Sequence, residues 1–236
     1  MSLNTKPDAP RQLIGRMIGQ SVLWIGIFAG LLFGAGGDWL WPQGWAYLIL
    51  FTLLGIGFGL WFARRDPALL NSRLHVMQKG QSLWDRVWIS VLIVLWCAWF
   101  AFMGLDAVRY RWSHLPLWAN VAGGILLVAG FYATLLVLRE NSFASPAVRL
   151  QAERGQHVID TGPYAIVRHP MYAASIVYLF GIPLLLGSAW GLLVPPIFII
   201  GVAVRAIFEE RLLRAHLPGY ADYMRRVCWR LIPGVW

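Results

Sequence analysis

The residues of this chain best equipped for chemistry run from Gln156-His157-Val158-Ile159, through Asp160-Thr161-Gly162-Pro163-Tyr164, to Arg168-His169-Pro170-Met171-Tyr172. They pack a Gly-Pro turn, titratable groups and two tyrosines between apolar stretches long enough to cross a bilayer. Ionisable groups at a bilayer edge are costly to keep, so such a cluster marks a candidate site. Thr161-Gly162-Pro163-Tyr164 is a turn signal. Pro170 suits the first turn of a helix, whose N–H groups and positive end would favour a carboxylate or phosphate, with Arg168 and His169 as further donors. A second cluster holds Arg205, Glu209 and Glu210. At helical spacing Arg205 and Glu209 share a face. Two adjacent carboxylates in an otherwise basic segment suit a cationic group. Tyr220 and Tyr223 follow on an amphipathic stretch to Arg226 that could lie over a pocket as a lid. Singly, these residues have plainer uses: Arg snorkels, Tyr sits at headgroup level, and Arg205 pairs with Glu209. Their convergence on one membrane edge points to an enzyme working there.

The elements that must position them are membrane spans. Hydrophobic residues make up 58% of the 236 and charged ones 13%, with mean hydropathy +0.60 and 14 tryptophans. A soluble domain carries roughly 45–50% apolar and about 25% charged residues. Apolar runs fall at 18–36, 45–62, 88–105, 117–138, 173–189 and 191–207, against roughly 20 residues for a helical span. They predict an all-α polytopic membrane bundle of about six spans, a single domain over 1–236. The last two runs, bearing Pro183 and Pro195-Pro196, read as a short helical hairpin turning at Gly187 to Gly191, packed against protein because prolines free backbone groups. Of the 20 Lys and Arg, all but Arg109 and Arg111 fall on one side. This is the positive-inside pattern: both termini cytoplasmic, an even number of spans, and an uncleaved first one. Trp39, Trp41, Trp45, Trp112, Trp118 and Trp190 would form the outer aromatic belt, and Trp61, Trp84, Trp88 and Trp229 the inner. Gly26, Gly30 and Gly34, and Gly55 with Gly59, have the spacing that lets helices approach closely, within the chain or across a dimer.

Several functions are excluded. The net charge of +9 lies in short loops, where topology explains it, and no basic face comes with a nucleic-acid-binding motif. Cys97 and Cys228 lack His/Cys neighbours at zinc-ligand spacing, and no metal site is expected. There is no Gly-x-Gly-x-x-Gly after a strand, no Walker loop, no His-Glu-x-x-His and no Gly-x-Ser-x-Gly. Any cofactor must therefore be held by helices and loops.

Gly162-Pro163-Tyr164, Arg168-His169-Pro170-Met171-Tyr172, Glu209-Glu210, Tyr220-x-x-Tyr223 and Pro233 together resemble the isoprenylcysteine carboxyl methyltransferase and phospholipid N-methyltransferase superfamily. The likeness covers the chain from about Asn141 to its end, and the first two spans resemble nothing specific. The segment from Glu210 to Tyr220 is one residue shorter than the usual pattern, with His216-Leu217-Pro218-Gly219 where Phe-Gly is common. The resemblance implies an S-adenosylmethionine pocket on the cytoplasmic side of an integral (if bacterial, inner-membrane) protein. Gln151, Gln156, His157, Val158, Ile159 and Tyr164 would meet the nucleoside. Arg168, His169, Pro170, Met171 and Tyr172 would hold the amino-acid part and sulfonium region, and Glu209, with Glu210, the ammonium. Arg205 resembles the arginine placed at the substrate, which with Glu209 makes the expected catalytic pair. The implied reaction is methyl transfer to a carboxylate oxygen or amine nitrogen of a lipophilic acceptor reached through the membrane lipid. One rival is an NADPH-dependent sterol-reductase-like protein, which also carries Arg-His-Pro-x-Tyr, but typically with Asn where this chain has Met171. The other is a non-catalytic lipid-binding protein, a role that demands neither the acidic pair nor the Gly-Pro turn.

Overall fold

A computed structural model describes residues 10–75 and 81–236, so Lys6 and Lys79 of the basic tally lie outside the described residues. Its helices are α1 (Pro10–Gly36), α2 (Pro42–Arg65), α3 (Pro67–Leu74), α4 (Leu83–Gly104), α5 (Leu117–Glu140), α6 (Pro170–Leu186), α7 (Pro195–His216) and α8 (Tyr220–Arg226). No strand occurs among the described residues. α1, α2, α4, α5 and α7 are each long and apolar enough to cross a membrane, and α6, with 17 residues, is a shorter apolar helix. The protein is an integral membrane helical bundle.

Local chemistry explains where the helices begin. Proline opens α1, α2, α3, α6 and α7, where its preset φ helps and its missing N–H costs nothing. Asp66 caps α3 by accepting from Leu69 N at 2.9 Å, and Ser82 caps α4 by accepting from Asp85 N at 3.2 Å. Two boundaries differ from the hydropathy pattern. α1 starts at Pro10, ahead of its apolar run, and α7 continues past residue 207 to His216. Arg205, Glu209 and Glu210 therefore ride on one unbroken helix.

α5 and α6 pack backbone to backbone. A Cβ on Gly123 would lie 2.2 Å from Leu185 N, one on Gly130 2.8 Å from Tyr178 N, and one on Gly181 2.7 Å from Leu127 N. Asn120 Nδ2 adds a hydrogen bond to Leu184 O at 2.9 Å, a carbonyl near the end of α6 that also accepts from Gly187 N. The expected packing glycines are different ones: a Cβ at Gly26, Gly30, Gly34 or Gly55 would meet nothing from other segments within 4 Å, and of the five only Gly59 is crowded, by Met17. Spacing identifies residues that share a helix face but not which face turns inward. In α1 the inward positions are Phe28, Leu32 and Phe33, which join Phe100, Trp99 and Phe198 in an aromatic-rich core. Trp41 is likewise buried in that core, not in the belt. We expect Gly123→Val to abolish the folded, monodisperse species in size-exclusion chromatography, because backbone atoms of α6 cannot yield to a side chain. Gly30→Val should leave it unchanged. A wild-type profile for Gly123→Val would refute this packing argument.

The α6–α7 hairpin turns at Gly187 (φ 79°), followed by a 3-10 turn over Trp190–Leu193. Fully buried Asp106, on a single π-helical turn after α4 (Leu105–Arg109), accepts from Ser113 Oγ at 2.8 Å and Ser188 Oγ at 2.5 Å. Those hydroxyls in turn accept from Ala189 N and Gly191 N. This network pins the hairpin turn at one end of the bundle. At the other end the α5–α6 loop, α3, α8 and the C-terminal segment gather around the polar clusters.

Candidate functional site

The 141–169 loop is built by its own polar side chains. Asn141 Oδ1 accepts from Phe143 N, and its Nδ2 donates to Tyr164 Oη at 2.9 Å. Buried Gln151 stitches the loop: its Nε2 donates to Phe143 O at 2.6 Å, its N–H goes to Gln156 Oε1, and its Oε1 accepts from Arg154. The Gly-Pro turn forms a 3-10 helix over Gly162–Ala165, with Gly162 at φ +55°, a conformation that favours glycine. Tyr223 Oη donates to Tyr164 O at 2.8 Å, which locks α8 onto that turn.

The two glutamates do different things. Glu210, 3% exposed, accepts from Arg168 Nε at 2.6 Å and Arg230 Nε at 2.9 Å, with His169 Nε2 at 3.3 Å. Arg168 is further occupied by Val227 O and Cys228 O, while Arg168 N and His169 N donate to Trp229 O and Arg230 O. Glu210 thus clamps the C-terminal segment onto the start of α6. The donors expected to meet an anion there are largely engaged within the protein, since Tyr172 N and Ala173 N also bond to His169 O. Glu209 instead receives one hydrogen bond, from Tyr172 Oη at 2.8 Å, and its side chain keeps 29% of its surface exposed. An ionised carboxylate has about four acceptor positions, so most of Glu209's capacity faces open space. The His169 ring stacks on Tyr172, with centroids 5.4 Å apart.

Arg205 makes a pair that the spacing did not indicate. No Arg205–Glu209 ion pair forms among the described residues; Arg205 Nε donates to Asp85 Oδ1 at 3.1 Å and Nη2 to Pro146 O. Asp85, fully buried at the start of α4, also accepts from Gln81 Nε2 at 2.7 Å and Val148 N at 3.0 Å. The Arg205 guanidinium lies 6.0 Å from the Tyr172 ring centroid. Asp85 escaped the sequence reading, although an acid at the edge of an otherwise apolar span is itself a signal. Arg73 of α3 escaped as well: its Nη1 donates to Ala144 O at 3.1 Å and contacts Met171 Sδ at 3.5 Å.

These parts surround a pocket with about 810 Å³ of empty volume, part of it open to solvent. Gln156, His157, Val158, Ile159, Tyr164, Arg168, His169, Met171, Tyr172 and Glu209 all line it, with Asn141, Phe143, Tyr220 and Tyr223. Gln151, Pro170, Arg205 and Glu210 stand behind the wall: the first stitches the loop, Pro170 starts α6, and the charged two hold neighbouring segments. Burial raises the Tyr164, Tyr220 and Tyr223 phenols above the ordinary tyrosine value, a shift that the hydrogen bond from Asn141 opposes at Tyr164. All three stay protonated at neutral pH. The wall offers aromatic faces, one accessible carboxylate and a loop backbone, which together suit a cationic, partly aromatic ligand.

A second cavity, with about 680 Å³ of empty volume, opens between the spans and is almost wholly apolar. Trp24 of α1, Ile89, Leu92 and Trp96 of α4, Leu179 of α6 and Phe198 of α7 line it. Its polar members are Ser175 and Tyr178, one to two turns along α6 from Tyr172. Val202 lines this groove and also packs in the cluster around Tyr172.

Compared with known families, residues 118–218 match the phospholipid methyltransferase family. The match starts in α5, ahead of Asn141, and ends just before Tyr220, so it carries α5, the 141–169 loop, α6 and α7. Asp85, Arg73 and α8 lie outside it. No curated protein matches the chain significantly.

Proposed function

Because residues 118–218 match the phospholipid methyltransferase family, we propose that this membrane protein transfers a methyl group from S-adenosylmethionine to a lipophilic acceptor at the cytoplasmic face. The observation that carries the reading is Glu209, a carboxylate on the wall of a tyrosine-lined pocket that, among the described residues, accepts one hydrogen bond, from Tyr172 Oη, with His169 Nδ1 3.8 Å away. Its free acceptor positions would take the cofactor's ammonium, with Tyr172 Oη fixing the carboxylate from behind. Tyrosine rings attract a cation such as a sulfonium, and Tyr164, Tyr220 and Tyr223 line this pocket with Tyr172. Gln156, His157, Val158 and Ile159, with Tyr164, would flank the nucleoside. When bound, the cofactor would supply an activated methyl group.

The protein's own contribution is alignment, because a displacement needs its reacting atoms about 3–3.5 Å apart and in line. Asp85 and the Pro146 carbonyl hold Arg205 against Tyr172, so Arg205 acts as a positioning residue for the pocket wall. Glu210, Arg168 and Arg230 fix the start of α6, which carries His169 and Tyr172. The apolar groove offers the acceptor's hydrocarbon part a path from the bilayer. A carboxylate acceptor needs no base.

The purified protein should be incubated with methyl-labelled cofactor and a total lipid extract, followed by base treatment of the product. Volatile methanol marks an ester and base-stable label marks N-methylation; label confined to intact cofactor across all acceptor pools counts against methyl transfer. The cytoplasmic orientation rests on the basic asymmetry. Cysteine-accessibility labelling at residue 236 should succeed only from the cytoplasmic side, and labelling from the outer face would reverse it.

A further inference from the structure

We propose that the outer edge between α4 and α7 is a binding site for an anionic phospholipid, built on Arg211 and the aromatic ladder beneath it. The site is separate from the pocket and does not depend on the methyl-transfer reading.

The ladder joins the two helices. Gly201 of α7 makes room for Trp88 of α4, since a Cβ there would lie 3.3 Å from Trp88 Cζ2. Trp84 stacks on Trp88 with ring centroids 5.5 Å apart, and Phe208 of α7 closes on Trp84 at 4.5 Å. The Arg211 guanidinium lies over the Phe208 ring, 5.1 Å from its centroid. Trp84 and Phe208 remain 38% and 40% exposed, so these rungs form an open surface on the outside of the bundle. In a membrane protein such a surface meets lipid.

Charge distinguishes this edge from a plain aromatic belt. Arg211 and Arg214 are both exposed and stand three residues apart on α7. Arg168, Arg205, Arg225, Arg226 and Arg230 each pair with a carboxylate, whereas Arg211 and Arg214 have no ion pair among the described residues. Glu209 lies two residues before Arg211, on the opposite face of α7, because each residue turns the helix by about 100°. Arg211 is accordingly absent from the lining of the pocket. A guanidinium set over a ring, with no counter-charge and its donors uncommitted among the described residues, matches a phosphate geometrically and electrostatically.

Depth indicates that the phosphate belongs to a lipid. Trp88 opens the apolar run of α4 and Phe208 follows that of α7, so the ladder straddles the edge of the hydrocarbon. Arg211 lies about 6 Å beyond residue 207 along the helix axis. The headgroup layer extends roughly 5–7 Å beyond the hydrocarbon core on each side. Arg211 therefore stands at the level of lipid phosphates. A lipid seated here lays its chains along the ladder and its phosphate against Arg211, with Arg214 facing the rest of the headgroup. Two cations without counter-charge favour a headgroup of net negative charge over a zwitterionic one.

The test titrates the full-length protein, in neutral maltoside micelles, with dioleoyl phosphatidylglycerol and dioleoyl phosphatidylcholine, and counts bound lipid by native mass spectrometry. Wild type should bind the anionic lipid about 25-fold more tightly, roughly fivefold for each arginine. Arg211→Gln and Arg214→Gln should each cut that preference about fivefold. Phe208→Leu, which keeps an apolar side chain but removes the ring, should lose part of it. Arg225→Gln removes the same charge from an exposed pair with Asp222 and should leave the preference unchanged. All four variants should keep the lipid-free melting temperature of wild type. Equal binding of the two lipids by wild type overturns the proposal, as does a preference that survives Arg211→Gln. Equal losses in Arg225→Gln and Arg211→Gln also overturn it, because net charge then explains the binding without a site. Loss of preference together with a lower lipid-free melting temperature in Arg211→Gln and Phe208→Leu assigns the ladder to stability and overturns it too.

Discussion

Glu209→Gln is expected to weaken S-adenosylmethionine binding by about 30-fold or more in calorimetric titration, the scale of one charge-assisted hydrogen bond. The melting temperature should stay close to wild type. Among the described residues the one hydrogen bond at this carboxylate comes from Tyr172 Oη, and a glutamine oxygen can still accept it. What the change removes is the negative charge facing the pocket. Unchanged affinity in Glu209→Gln would mean that the ammonium is held elsewhere or that the ligand is not a cation. NADPH binding without S-adenosylmethionine binding would favour the reductase alternative.

The neighbouring substitution should behave oppositely. Glu210→Gln leaves Arg168, whose side chain is 6% exposed, without its carboxylate partner. Breaking a buried ion pair from one side costs about 3 kcal/mol or more. We therefore expect a clear fall in melting temperature. The amides of Arg168 and His169 should exchange hydrogen faster, because their acceptors, Trp229 O and Arg230 O, belong to the segment that Glu210 clamps through Arg230. Any loss of cofactor affinity should follow from this loosening. A Glu210→Gln protein with wild-type melting and exchange, but no cofactor binding, would make Glu210 a ligand and the clamp incidental. The adjacent pair thus divides between ligand and scaffold, a distinction that Glu-Glu as a motif does not contain.

Much of this protein was legible in its sequence because the bilayer acts on each segment separately. A span must be long and apolar on its own account, so the runs located the helices, although the last two runs, equal in length, did not show that α6 would stay short while α7 ran on to His216. Many pocket-lining residues were also readable: Gln156 to Ile159, Tyr164, Arg168, His169, Met171 and Tyr172 fall in one local stretch whose turn chemistry and proline bend them together. Tertiary structure alone decided which charges pair and which stay open. Arg205 could have met Glu209 four residues on, yet it pairs with Asp85 across 120 positions, because packing brings the start of α4 against α7. Arg168 finds Glu210 across 42 positions, while Arg73 meets Ala144 O and Met171 Sδ across 71 and 98. The same holds for close helix contacts: glycine spacing marked candidates, but the backbone contact fell at Gly123, Gly130 and Gly181, because helix rotation in the bundle determines which face meets a neighbour. Periodicity is a property of one helix and so is written in its residues. Charge compensation and close approach are properties of two segments at once, and only the assembled bundle determines them.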